Sequence, residues 1–278
     1  MHRSILVTGA SSGIGEACAV ILAQKGFRVY AAARRVEMLK PLAGLGGGRI
    51  TPMALDVTNE ASIKMAVDKV LSDGSLYGLV NNAGISVMGP TEDVSIEQWR
   101  AQYETNVFGL VAMVQAVLPG MRAQQVGRII NIGSIAGRIA APFQGAYASS
   151  KHAVEGLSDS LRREVEPFGI KVSVVRPGFI NTPFGEAEQE SLRAYEIEDN
   201  AYARYVTAFR DWHAKGHPAA PGPNIVADAV HHALTADRPH SRYVVPAKNI
   251  PSVMIRNLAP SAIADRLLKK IMGLDKIE

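Results

Sequence analysis

The feature that most constrains this chain is a rhythm of short, continuous apolar runs separated by longer segments of helical spacing. The apolar runs are residues 4–8, 28–33, 50–55, 78–81, 128–132, 171–175 and 242–245. A strand covered on one face alternates apolar and polar residues, whereas a parallel strand covered on both faces is apolar throughout. Helical spacing occupies residues 15–25, 62–71, 146–166 and 224–235. This alternation predicts one α/β domain over residues 1–278, a Rossmann-type, doubly wound parallel sheet with helices on both faces. With 47% hydrophobic and 20% charged residues in 278, the chain can fill the core such a sheet needs.

The rhythm breaks between Pro183 and Pro223, where Phe184, Tyr195, Tyr202, Tyr205, Phe209 and Trp212 accumulate before the turns Gly216-His217-Pro218 and Pro221-Gly222-Pro223. So many aromatics argue against disorder. The segment reads either as a packed helical excursion or as a lid over an apolar substrate. Its position after the carboxyl end of a strand, where open α/β sheets bind ligands, favours a lid over residues 183–223. Residues 246–278 read as a C-terminal helical extension. Within residues 262–272, Ile263, Leu267, Leu268 and Ile271 share one face, with Arg266, Lys269 and Lys270 elsewhere. Such a stripe packs on its own domain or on a second subunit, with peripheral membrane contact as the alternative. Removing the residues after Gly273 is expected to matter little.

Thr8-Gly9-Ala10-Ser11-Ser12-Gly13-Ile14-Gly15 joins the first strand to the first helix. Glycines there permit a sharp turn and let backbone N–H groups approach a pyrophosphate, which the positive end of the helix also attracts. The plainer alternative is an ordinary strand-to-helix connection. An NAD site usually carries a carboxylate about 20 residues further on, to bind the ribose 2′-hydroxyl. Here the second strand ends in Ala33-Arg34-Arg35. A guanidinium forks onto phosphate, so Arg34, supported by Arg35 or Ser12, reads as a 2′-phosphate site and points to NADP(H) rather than NAD(H). A solvated helix start is the plainer reading of the same pair.

Tyr147-Ala148-Ser149-Ser150-Lys151 lies early in a long helical segment, which puts the phenol and the ammonium on one face. A phenol of pKa near ~10 is a poor base at neutral pH, and a neighbouring cation is expected to lower it. Ser134 follows a buried strand and can hold a substrate oxygen. Asn106 sits in an otherwise apolar helical run, as a helix-bending or capping residue or as the anchor of a proton-relay water.

In this order and spacing, Thr8-Gly9-x-x-x-Gly13-x-Gly15, Asp56, Asn81-Asn82-Ala83-Gly84, Asn106, Ser134, Tyr147-x-x-x-Lys151 and Pro177-Gly178 with Thr182 resemble the short-chain dehydrogenase/reductase family. The segments around Tyr147 and Pro177 are most similar to its steroid, retinoid and carbonyl reductase branch. The resemblance implies Tyr147 as acid/base, Lys151 as ribose ligand and phenol activator, Ser134 as carbonyl ligand and Asn106 as water anchor. It also implies that Asp56 and Val57 border the adenine and that Asn82, Ala83 and Gly84 line the adenosine ribose. Pro177, Gly178, Ile180 and Thr182 would hold the nicotinamide end. Ser86, Val87, Met88, Phe143, Phe179 and Phe184 are the substrate-side candidates, and their apolar character implies a small hydrophobic ketone, aldehyde or alcohol. A homodimer or homotetramer is implied as well.

Other chemistries fit poorly. The net charge of +4 is scattered along the chain, which suits an anionic cofactor better than a nucleic acid. The single cysteine, Cys18, rules out an internal disulfide and fits a cytoplasmic setting. No apolar stretch runs uninterrupted far enough to cross a bilayer. No metal is expected, since His213 and His217 are separated by helix-breaking neighbours and His231 and His232 diverge on a helix. Gly133-Ser134-Ile135-Ala136-Gly137 lacks the spacing of a hydrolase nucleophile elbow. A non-catalytic NADP-binding redox sensor and a cofactor-assisted isomerase are the rival readings.

Overall fold

A computed structural model describes residues 3–216 and 219–277. His217 and Pro218, part of the turn expected after the aromatic insertion, lie outside the described residues, as do Met1, His2 and Glu278. The chain runs β1 (Ser4–Thr8), α1 (Gly13–Gln24), β2 (Arg28–Ala33), α2 (Lys40–Leu45), β3 (Ile50–Ala54), α3 (Glu60–Ser72) and β4 (Leu76–Asn81). It continues through α4 (Ile96–Tyr103), α5 (Gly109–Ala123), β5 (Gly127–Ile132), α6 (Gly145–Val165) and β6 (Ile170–Pro177). Then follow α7 (Pro183–Arg193), α8 (Ala203–Gly216), α9 (Asn224–Thr235), β7 (Arg242–Val245), α10 (Ile250–Leu258) and α11 (Ser261–Ile271).

The seven strands form one sheet in the order β3-β2-β1-β4-β5-β6-β7, every pair parallel. β6 runs two residues past its expected end because Arg176 and Pro177 pair with Val244 and Val245 of β7. The continuous apolar runs are explained by two cores. One face packs Ile5, Val7, Val29 and Ile130 against α1 and α9, and the other packs Leu6, Leu79 and Ile129 against α3, α5 and α6.

The aromatic insertion is helical and builds a third core of its own. Leu192 from α7 and Val206 and Phe209 from α8 meet Met88, Met272 and Leu274, with Leu268 beside them. The C-terminal residues therefore pack on this chain's own insertion. The inward face of α11 is not the expected stripe: Ala264, Leu268 and Met272 turn inward, whereas Ile263, Leu267 and Ile271 remain exposed. Burial of Leu274, at 9% exposure, also corrects the expectation that residues after Gly273 contribute little.

Among the described residues, one helix, residues 96–123, is long and apolar enough to cross a membrane by length and composition. It joins α4 and α5 through a π-helical turn, Glu104–Phe108, and its apolar side, Leu110, Met113, Val117 and Met121, is core. Asn106 lies inside that π turn, a distortion that accumulates at functional sites.

Candidate active site

β1 and β4 lie side by side at the point where the strand order reverses, the place where open α/β sheets leave a crevice. The turn after β1 is stitched to the end of β4. Thr8 Oγ1 accepts from the N–H groups of Asn82 and Ala83, each at 3.0 Å, while Asn82 Nδ2 donates to the carbonyls of Thr8 and Gly9 at 3.0 Å. Gly9 has φ +64°, and a Cβ there would lie 2.8 Å from Ala83 Cα. A Cβ at Gly15 would collide with the Gly9 carbonyl oxygen. Only glycine lets this turn close so tightly, and α1 then begins at Gly13 with its first N–H groups facing the crevice. Ser12 is the N-cap, with its hydroxyl making no capping bond.

The crevice opens into a cavity of about 970 Å³ that collects nearly every cofactor-side residue expected from the sequence. Gly9, Ser11, Ser12, Gly13 and Ile14 line one part, with the exposed Arg34 and Arg35 beside them. Asp56, Val57, Asn82, Ala83 and Gly84 follow, then Pro177, Gly178, Ile180 and Thr182. The Thr58 backbone N–H holds the Asp56 carboxyl below the usual range, and the Arg34 guanidinium adds to this against the opposing effect of burial. Gly15 stands just behind the lining, where it admits the turn.

Ser134, Tyr147 and Lys151 line the same cavity. Ser134 sits just past β5 with its hydroxyl beside the Tyr147 phenol, and its Oγ accepts from the Ala136 N–H at 3.0 Å and donates to the Pro177 carbonyl at 3.5 Å. α6 places Tyr147 and Lys151 one turn apart and on one side, with Lys151 Nζ 5.8 Å from the phenol ring centroid. That ammonium donates to the Ile132 carbonyl at 2.9 Å, and desolvation lowers its pKa to about 8. The phenol behaves differently from expectation. Burial pushes Tyr147 well above its ordinary value, the Glu188 carboxylate raises it further, and only the Ser134 bond lowers it.

Asn106 stands close to these groups, with its side chain engaged by the protein itself. Its Oδ1 accepts from the Ile85 N–H at 2.9 Å, and its Nδ2 donates to the Ile85 carbonyl at 3.0 Å and to Ser150 Oγ at 3.3 Å. The side-chain amide is thus spent on fixing the segment after β4, and Thr105 faces the cavity instead.

Of the substrate-side candidates, Phe179 and Phe184 line the cavity. Met88 does not, being 1% exposed in the core of the insertion, and Phe143 packs against that same core with a left-handed φ of +63°. Val87 is anchored by its N–H to Gln102 Oε1 at 2.7 Å, and Ser86 donates to Glu188 Oε1 at 2.7 Å. Sequence reasoning missed Glu188, Trp212 and His213 of the insertion, and the direct part played by Leu267, Leu268, Ile271 and Met272 in the cavity wall. Glu188 stands four residues after Phe184, a same-face spacing that was legible. Nothing in the sequence announced that His213, on another helix, meets it.

With this geometry in place, relatives are informative. The short chain dehydrogenase family profile matches residues 3–193. The uncharacterized oxidoreductase YbbO of Escherichia coli K12 is 34% identical over 271 residues, covering 97% of this chain and 95% of that protein. The NADPH-dependent 3-dehydrocapnine reductase of Ornithobacterium rhinotracheale is 34% identical, covering 98% and 97% respectively. Human retinol dehydrogenase 5 is 35% identical across 86% of this chain and 79% of its own length. Among solved structures, a short chain dehydrogenase/reductase from Burkholderia phymatum in complex with NAD superposes with a TM-score of 0.80 at 25% identity, covering 92% and 93%.

Proposed function

Because the chain belongs to the short-chain dehydrogenase family, we propose that it is an NADP(H)-dependent oxidoreductase interconverting the carbonyl and alcohol of a hydrophobic substrate, with Tyr147 as acid/base. The observation that carries this reading is the meeting of Ser134, Tyr147 and Lys151 in the cavity that also holds the glycine turn. A nicotinamide cofactor bound there supplies or accepts the hydride.

The protein's own groups do the rest. The turn from Gly9 to Gly15, with Ser11 and Ser12, offers backbone N–H groups to the pyrophosphate, in a cradle that side chains at Gly9 or Gly15 would fill. Arg34 and Arg35, which line the cavity beside the glycine turn, would take a 2′-phosphate, and this supports NADP(H) over NAD(H), as does the NADPH dependence in the name of one relative. Asp56 and Val57 would border the adenine, and Asn82 to Gly84 the ribose beside it. Pro177, Gly178, Ile180 and Thr182 would hold the nicotinamide end, and Lys151 would donate to the ribose hydroxyls. Asn106 acts as a positioning residue through Ile85. Ser134 orients the substrate oxygen, and the Tyr147 hydroxyl gives it a proton. A phenol held protonated by burial is in the form that can give a proton to a carbonyl oxygen.

The insertion serves as the lid, excluding water with Phe184, Trp212 and the α11 side chains. Their apolar character supports a hydrophobic carbonyl compound. A cytoplasmic setting fits the single cysteine, Cys18, which is buried with its thiol raised to about 12. Assembly as a homodimer or homotetramer is the expectation for light scattering. The activity is tested by following NADPH consumption over aldehydes, ketones, steroids and retinoids, with NADH in parallel. Turnover of hydrophobic carbonyls with a preference for NADPH is expected. A preference for NADH overturns the cofactor assignment, and no turnover across the panel overturns the substrate class.

A further inference from the structure

α11 turns Ala264, Leu268 and Met272 inward and leaves a second apolar side uncovered. Ile263, Leu267 and Ile271 recur every four residues along that side and are 59%, 41% and 54% exposed. Side chains four apart share one helix face, so the three form a single stripe. Leu267 and Ile271 also line the catalytic cavity, together with the exposed Phe184 of α7, whereas Ile263 is not part of its lining. The stripe therefore runs from the open surface onto the rim of the cavity. Arg266 stands three residues after Ile263 and Lys270 three after Leu267, both exposed, which sets two cations along one edge of the stripe. Asp265, the acidic residue of this helix, lies two residues from both Ile263 and Leu267 and so points away from the stripe.

Three partly exposed side chains fall far short of the roughly 800 Å² that each partner buries in a standard protein interface. A second copy seated on them would also cover the cavity rim. An apolar stripe with a cationic edge instead fits the boundary between acyl chains and anionic head groups. We propose that α11 docks the protein peripherally on an anionic lipid bilayer. Ile263, Leu267 and Ile271 enter the acyl boundary, and Arg266 and Lys270 meet the head-group phosphates. The rim of the cavity then faces the lipid, and a hydrophobic substrate dissolved in the bilayer enters along the stripe without crossing water. That route for substrate rests on the oxidoreductase reading; the docking itself does not.

The test sediments the full-length protein with vesicles of phosphatidylcholine alone and of an equal mixture of phosphatidylcholine and phosphatidylglycerol. The anionic vesicles are expected to bind at least about 10-fold more tightly, an advantage that added salt erodes. Replacing both cations, Arg266→Gln with Lys270→Gln, is expected to weaken that binding about 25-fold, at about 5-fold for each charge removed. Ile263→Ser is expected to weaken it about 3-fold to 10-fold. These three positions are exposed and outside the cavity lining, so the thermal midpoint and NADPH affinity should stay as in wild type. Equal binding to the two kinds of vesicle, or binding that either variant leaves intact, overturns the proposal. Sedimentation velocity supplies the other arm: an oligomer that Ile263→Ser takes apart assigns the stripe to a second copy and also overturns it. Vesicle binding without turnover of any carbonyl compound sinks the reaction reading and leaves the docking standing, and turnover without vesicle binding does the reverse.

Discussion

Tyr147 and Lys151 share a helix face and a cavity, yet the protein's own groups raise the first and lower the second. Both shifts have burial as their first cause, since an apolar site disfavours phenolate and ammonium alike. The sequence showed the pairing but not that burial and the Glu188 carboxylate raise the phenol, because both are tertiary facts. The shift of Lys151 to about 8 sets a pH dependence. Below that value the amine carries the charge that binds the ribose, and above it the charge is lost. The kcat/KM for reduction is expected to stay flat from roughly pH 6 to 7 and to fall above about 8. A pH profile that rises from neutrality into that range contradicts this. Arg34 offers a second residue-scale check. Arg34→Ala is expected to weaken NADPH about 10-fold to 100-fold and NADH by about 2-fold at most, read by fluorescence titration. Equal losses for both nucleotides contradict the assignment.

At the scale of elements, α6 is the part that aims the chemistry, and its rear is tied by charge. Glu155, 5% exposed on α6, takes Arg176 Nε at 2.6 Å and Arg242 Nε at 2.7 Å, linking the helix to β6 and β7. Removing one partner of a buried ion network leaves the others uncompensated. Glu155→Ala is expected to lower stability by about 3–5 kcal/mol in chemical denaturation, and a loss below about 1 kcal/mol contradicts the structural role. α6 itself was legible in its long periodic segment, as were β1, β2 and β7, which match their expected bounds. Glu155 was not, because its partners lie 21 and 87 residues away on other elements. Asn106 shows the same limit: an odd residue in an apolar helix marked the distortion, while its bonds to Ile85 needed the tertiary fold.

On the scale of the whole molecule, the sheet and its loops build the glycine-turn end of the cavity, while the insertion and the C-terminal helices wall the other end. The aromatic insertion announced itself by composition. Its docking on α11 did not, since a stripe on one helix does not say which helix it will meet. Met88 and Phe143 looked like substrate contacts because they are apolar and near the motifs, and they are instead packing for the insertion. Deleting the chain from Pro260 onward removes Ala264, Leu268, Met272 and Leu274 from that packing. The truncated protein is expected to keep NADPH binding, to bind a hydrophobic dye and to lose turnover. A soluble, monomeric and fully active truncation contradicts this division of labour.

The central claim is that the Tyr147 hydroxyl exchanges the proton with the substrate oxygen. Its most direct test is the rate of NADPH oxidation by Tyr147→Phe with a ketone that wild type reduces, alongside NADPH affinity. The predicted result is a loss of at least about 100-fold in turnover with nucleotide affinity preserved. Turnover close to that of wild type would contradict the account.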